Sequence, residues 1–243
     1  MGIFANPLTD LLEYEDFSRD FLKGTDPVGM TGCIDSEKVH FMSTFLGEKK
    51  VQLVVTYNEQ RAREIEEDYK LFCSQVYVIP PRDLIFFSAD LQGNAIIAER
   101  MKAFAALYQN EAKVIITTMD ALMSAAVPFE QLMSHVIKLK EGDELDLEKL
   151  KHDLTVMGYE RVGRVEEPGQ FTVHGGIADV YPLTMEVPVR IELWGDEIDT
   201  IRCFEPQSQR SMDQIECVSV FPAAEVIADD TARRRAVGMI QNE

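Results

Sequence analysis

Apolar positions recur at helical spacing near the start of the chain, where Leu8, Leu11, Leu12, Phe17, Phe21 and Leu22 fall on one stripe of a helix over 8–22. After Gly24 come a short extended piece, the loop GMTGCIDS (29–36), and a helical run from Glu37 to Leu46 that Gly47 stops. The period then changes. VQLVVTY (51–57) reads as a buried strand, NEQRAREIEEDYKLF (58–72) as a charged helix and SQVYVIP (74–80) as a second strand. A long helix over 93–112 and a third apolar strand, KVIITTM (113–119), follow. Strands alternating with helices predict an α/β fold with a parallel sheet covered on both faces, here residues 1–125.

Beyond this point the spacing tightens. A short helical piece (128–133), a strand HVIKLK and a helix DLEKLKHDLTVMGY lead into GQFTVHGG, IADVYPL, VPVRIELW and EIDTIRCF, alternating strands of an antiparallel α+β module over 126–208. Gly195-Asp196, with Gly first, is the two-residue loop of a type II′ hairpin. IECVSVFPA is a further strand, expected to return to the first sheet within a closing segment, 209–243, and so to make the module an insertion in the first domain. In VPVRIELW, alternation sets Val189, Ile191 and Leu193 on one face and Arg190, Glu192 and Trp194 on the other. An Arg, a Glu and the only Trp of the chain on one polar face are the makings of a contact cluster. The plainer alternative has Trp194 packed on the first domain, with Arg190 and Glu192 as ordinary cross-strand neighbours.

Composition narrows the function. The chain has 243 residues, 46% hydrophobic and 27% charged, with a formal charge of -18 from 42 acidic and 24 basic side chains. That suits a globular protein of one or two domains and favours a protein partner over bare nucleic acid. The acidic run at 141–153 reads as a loop and a solvated helix face. Cys33, Cys73, Cys203 and Cys217 form no C-x-x-C pair, which points to no zinc site, no disulfide framework and a reducing cytoplasm. No apolar run of 18 residues exists, so no membrane segment is expected. The helix-like final residues, RRRAVGMIQNE, suggest a piece of a longer protein.

GMTGCIDS has the outline of a phosphate-binding loop, in which backbone N–H groups and a helix N-terminus hold phosphates while a Lys neutralises them. Gly29, Gly32 and Ser36 remain, but Ile34 stands in place of the second Gly and Asp35 in place of the Lys. An anion now sits where a polyphosphate would carry its greatest charge. The alternative reading is a plain turn shaped by Gly24, Gly29 and Gly32, with Asp35 or Ser36 capping the next helix.

Residues 158–211, through PGQFTVHGGIADVYP, RIELWGDEID and FEPQSQRS, closely resemble the module shared by the bacterial excision-repair protein UvrB and the transcription-repair coupling factors (Mfd), and are more similar to the latter. The resemblance extends upstream through PPRDLIFF and ERMKAFAAL. It implies a degenerate RecA/helicase-like α/β domain with an inserted antiparallel α+β module that docks UvrA, and it marks the loop as the remnant of a nucleotide site. UvrB has an aromatic-rich DNA-clamping hairpin before the long helix, and here only LIFFSADLQGNA spans that place. Carried over by motif, Arg161, Arg190 and Glu192 match UvrA contacts, and Thr172 and His174 fall where UvrB has two Arg residues. Replacing a guanidinium by the imidazole of His174 removes a permanent cation, and His174 stands equally as a contact or a turn residue, as Arg161 does as a contact or a solvated strand end. Tyr181 is expected in the core.

The resemblance further implies a non-catalytic segment with no cofactor, in a parent that moves along DNA with a separate ATPase motor and meets stalled RNA polymerase. The parent's C-terminal part would cover the UvrA face at rest, so that the segment alone binds more readily. Two competing functions stay in view: residual NTP binding at the loop, and DNA binding through Arg161 with Arg164 or through Arg233–Arg235.

Overall fold

The computed structural model describes residues 8, 10, 14–24, 27–46, 51–82, 91–124 and 126–227. In chain order its elements are α1 (Tyr14–Lys23), α2 (Asp35–Ser43), β1 (Gln52–Thr56), α3 (Glu59–Lys70), β2 (Val76–Ile79), α4 (Leu91–Tyr108), β3 (Val114–Thr118), α5 (Met119–Met123) and α6 (Phe129–Met133). There follow β4 (Ile137–Lys140), α7 (Leu147–Val156), β5 (Glu160–Arg161), β6 (Gln170–His174), β7 (Ile177–Val180), β8 (Val189–Trp194), β9 (Glu197–Phe204), β10 (Ser211–Gln214) and β11 (Cys217–Val220). The chain divides into two compact units, 1–82 with 109–124 and 83–108 with 125–243.

The first unit holds the expected parallel sheet, in the order β1-β3-β2. Its core forms where α3 turns Ala62, Ile65 and Tyr69, spaced three and four apart, onto Val76, Val78, Val114 and Ile116. The start of α3 is fixed by Asn58, whose side chain accepts from the Arg61 N–H at 2.8 Å. The buried Tyr69 hydroxyl donates to Gln52 Oε1 at 3.1 Å, which ties helix to sheet. A second small cluster joins α1 to α2 through aromatic rings, with Phe17 edge-on to Phe41 at 4.7 Å.

The second unit is built on a six-stranded sheet, β10-β9-β8-β7-β6-β5, antiparallel except where β5 runs parallel to β6. Inward residues of the strands, among them Phe171, Val180, Val189, Ile191 and Ile201, pack on Leu150, Leu154 and Met157 at α7. Asp146 caps α7, accepting from the N–H groups of Glu148 and Lys149. The helix ends in a Schellman turn: Tyr159 N–H donates to Leu154 and Gly158 N–H to Thr155, with Gly158 at φ 91°. A Cβ on Gly158 would lie 2.7 Å from that of Ala224, so this position admits only glycine without a shift. Gly195 has φ 67° while Asp196 is not left-handed, as the type II′ turn requires.

Two elements differ from expectation. The strand β11 does not join the first sheet; it pairs antiparallel with β4, Val218 opposite Leu139, and both strands add their apolar side to the α7 core. α4, counted from sequence with the first domain, contributes Met101 and Ala105 to a cluster with Leu132, Met133, Leu183 and Phe221 in the second unit. In both cases an apolar stripe records that a surface is buried and is silent on which neighbour buries it. Parts of the LIFFSADLQGNA stretch, the beginning of the first helix and the Arg233–Arg235 cluster lie outside the described residues.

Candidate functional site

Strand pairing assembles most of the expected contact residues on the outer face of the six-stranded sheet. One row runs Thr172, Asp179, Arg190, Arg202, Gln214 across β6 to β10, and the next runs His174, Ile177, Glu192, Thr200. The turns at Gly175-Gly176 and Gly195-Asp196 bring two hairpin tips to the same end, held together by the Leu193 N–H donating to Gly176 O at 2.8 Å. Close approach is built in there, since a Cβ at Gly176 would meet that Leu193 carbonyl oxygen at 3.3 Å.

Arg190 is the anchor of this face. Its Nε and Nη2 donate to the two oxygens of Asp179 at 2.8 and 2.7 Å, a bidentate pair with Asp179 buried and Arg190 mostly so. Its guanidinium lies 4.8 Å from the ring centroid of Phe204, and Nη2 also reaches Gln209 Oε1 at 3.4 Å. The hydrogen bond to Asp179 raises the Arg190 pKa above its ordinary value, against the opposing effect of burial. Gln209 adopts a left-handed φ of 60° and donates to the carbonyls of Val165 and Pro206, so a strained loop buttresses the arginine. Beneath it Val165, Tyr181 and Phe204 form a small core on the outer side of the sheet, where Tyr181 also donates to Glu186 O at 2.6 Å.

The other residues divide by exposure. Trp194 is 84% exposed at the hairpin tip, with Ile177 at 40% and His174 also open to solvent. Glu192 accepts from the Thr200 hydroxyl at 3.3 Å. Thr172 is buried in the row beside Asp179, which removes it from the exposed surface. Arg161 is exposed on the edge strand opposite Phe171, in the inward-facing row, and is not brought together with Arg190. Arg164 is already engaged, by Glu166 at 3.2 Å and by the Pro206 and Gln207 carbonyls, where it pins one loop to another.

Asp179 and Arg202 were not singled out from sequence, and Gln209 entered only through the motif FEPQSQRS, with no contact role. A lone carboxylate in the apolar stretch IADVYPL was a signal, because a buried Asp requires a cationic partner.

The loop of the first unit leads into α2 with an acid, Asp35, at the helix start. No strand precedes it among the described residues, 27–31 being neither strand nor helix. Gly32 has φ 84°, whereas Gly29 does not, and Ile34 sits at φ -72°, ψ 168°, an ordinary extended conformation that costs its Cβ nothing. Neither Asp35 nor Ser36 caps α2. Ile34 is the cap residue, and its N–H donates to Glu37 at 3.0 Å. Asp35 instead pairs with Lys38 at 3.1 Å and Arg61 at 3.7 Å, and these contacts, led by the Lys38 hydrogen bond, hold its carboxyl below the usual range. The three residues line a cleft of about 460 Å³, whose cations are thus neutralised from within the protein. Among the described residues no cluster of three or more His, Cys, Asp or Glu is placed to hold a metal, and no helix is long and apolar enough to cross a membrane.

Residues 137–225 match the family described as UvrB interaction domain. The chain is 34% identical over 215 residues, 87% of its length, to a transcription-repair-coupling factor of Staphylococcus haemolyticus, of which it covers 18%. It is 31% identical over 245 aligned positions, all of its length, to one from Staphylococcus epidermidis, covering 20%. One from Staphylococcus aureus is 31% identical over 241 positions. The chain spans about a fifth of the length of these curated relatives.

Proposed function

We propose, from the premise that the chain belongs through residues 137–225 to the UvrB interaction domain family and is related along its length to the transcription-repair-coupling factors, that it is a docking segment for UvrA. The contact face is the outer side of the six-stranded sheet, with Trp194 and His174 exposed, Glu192 half-buried and Arg190 held in place beside them. One observation carries this reading. A tryptophan 84% exposed on a hairpin tip, beside charges held in cross-strand hydrogen bonds, gains most by burial against a partner. The segment does no chemistry itself. In the longer relatives we assign ATP-driven movement on DNA and contact with stalled RNA polymerase to the remaining length, so that docking brings the excision machinery to the stalled polymerase. The same face would be covered by the parent's C-terminal part at rest. Binding of UvrA by the segment is then tighter than by the whole parent.

Calorimetric titration of the chain with UvrA, beside a Glu192→Ala, Trp194→Ala double variant, tests the reading. Micromolar or tighter binding that the variant loses supports it, and a folded chain that binds no UvrA refutes it. The NTP-binding alternative predicts retention of a fluorescent ATP analogue, which the Asp35 pairing with Lys38 and Arg61 disfavours.

A further inference from the structure

Across the strand from Arg190 stands a second arginine. Arg202 on β9 is the register partner of Arg190 on β8 and of Gln214 on β10, so the two guanidinium side chains share one row of the outer face. Like charges directly opposite in a sheet repel each other. The row offers a single carboxylate, that of Asp179, and Arg190 occupies both of its oxygens. The Arg202 side chain forms no ion pair or hydrogen bond among the described residues, and its Nε is buried without a partner. Neighbouring acids do not answer it: Glu192 is engaged by Thr200, Glu141 accepts from Gln214 and from the Ile201 N–H, and Asp213 on the edge strand β10 makes no ion pair with it. With 42 acidic side chains against 24 basic ones, the chain has no shortage of carboxylates, yet none is set against this cation.

A guanidinium that has lost part of its hydration and has gained no anion is an anion receptor. Its planar fork suits a carboxylate above other groups a protein surface presents. We propose that Arg202 is a binding residue of the docking face and takes an Asp or Glu side chain of the partner in a two-pronged contact. Arg190, whose Nη1 carries no hydrogen bond among the described residues, supplies a second donor beside it. The inference rests on the UvrA-docking reading and adds to it the chemistry of the partner's side: an acidic residue seated over β8, β9 and β10, next to the partner groups that cover Trp194.

The test is titration of UvrA with the whole chain and its Arg202→Gln and Arg202→Lys variants at low and high salt, with melting temperatures measured alongside. Arg202→Gln is expected to weaken binding roughly tenfold or more and to flatten its salt dependence, with Arg202→Lys in between because it keeps the charge and loses the fork. The melting temperature of Arg202→Gln is expected to stay level or rise, since the opposed charges are gone. Binding by Arg202→Gln as tight as that of the unaltered chain overturns the proposal. A fall of several degrees in melting together with weaker binding also overturns it, by showing a structural role. If the unaltered chain binds no UvrA, the docking reading itself fails and takes this inference with it.

Discussion

In the first unit Asp35 stands in solvent between Lys38 and Arg61, at 3.1 and 3.7 Å; in the second, Asp179 is buried and receives both prongs of Arg190. The partners are alike and the surroundings are not. Around Asp35, water screens the pairs and stands ready to replace them, so they add little to stability. Around Asp179, water has been removed from one partner and most of the other, so neither charge has an alternative. The Asp35 pairs are therefore replaceable by water, while the outer sheet face holds its arginine between Asp179 and Gln209. A surface meant to meet a partner requires that fixity, because ordering a long side chain at the moment of docking is costly.

The contrast is sharpened by breaking it, beginning with the largest effect. Asp179→Ala leaves Arg190 and Arg202 facing each other without a counter-charge, and denaturant unfolding of the second unit should show a loss of about 3 kcal/mol. Gly158→Ala must take φ 91° and a Cβ 2.7 Å from Ala224, with an expected loss of about 2 kcal/mol in the same measurement.

Tyr159 comes next, with its hydroxyl donating to Phe221 O at 2.7 Å. Burial pushes its phenol well above the usual tyrosine pKa, so its contribution to stability is whole below the unfolded-state value near pH 10 and is lost as pH rises through the folded value. Tyr159→Phe should cost about 1 kcal/mol at pH 7 and reduce the alkaline slope of stability by up to about 1.4 kcal/mol per pH unit. Buried Tyr69 gives the first unit a similar limb, which that substitution leaves intact. At the small end, Asp35→Asn should leave the first unit's thermal unfolding midpoint essentially unchanged.

Much of this architecture is legible in the chain because period carries it. The strands of the second sheet announce themselves by alternation, and the glycine at 195 announces its turn. What alternation does not record is which partner receives a buried stripe, hence the unexpected places of α4 and β11. The site shows the same limit at finer scale. A plain two-residue hairpin after Trp194 would set Arg190 opposite Ile201, on the wrong face. A bulge between Glu192 and Leu193 on the ladder shifts the register, and Arg190 meets Arg202. Nothing in RIELWGDEIDTIRCF marks that extra residue, so the arginine pair emerges only with the fold. Asp179 was readable as a misplaced charge, whereas Gln209, whose worth lies in a left-handed backbone, was not.

The central claim is that the partner meets the outer face of the second sheet. Amide hydrogen exchange of the chain with and without UvrA measures it most directly. Slowed exchange in 172–179 and 189–202, with 29–43 unchanged, is the predicted footprint; protection confined to the loop and α2, or none on the sheet, would contradict the account.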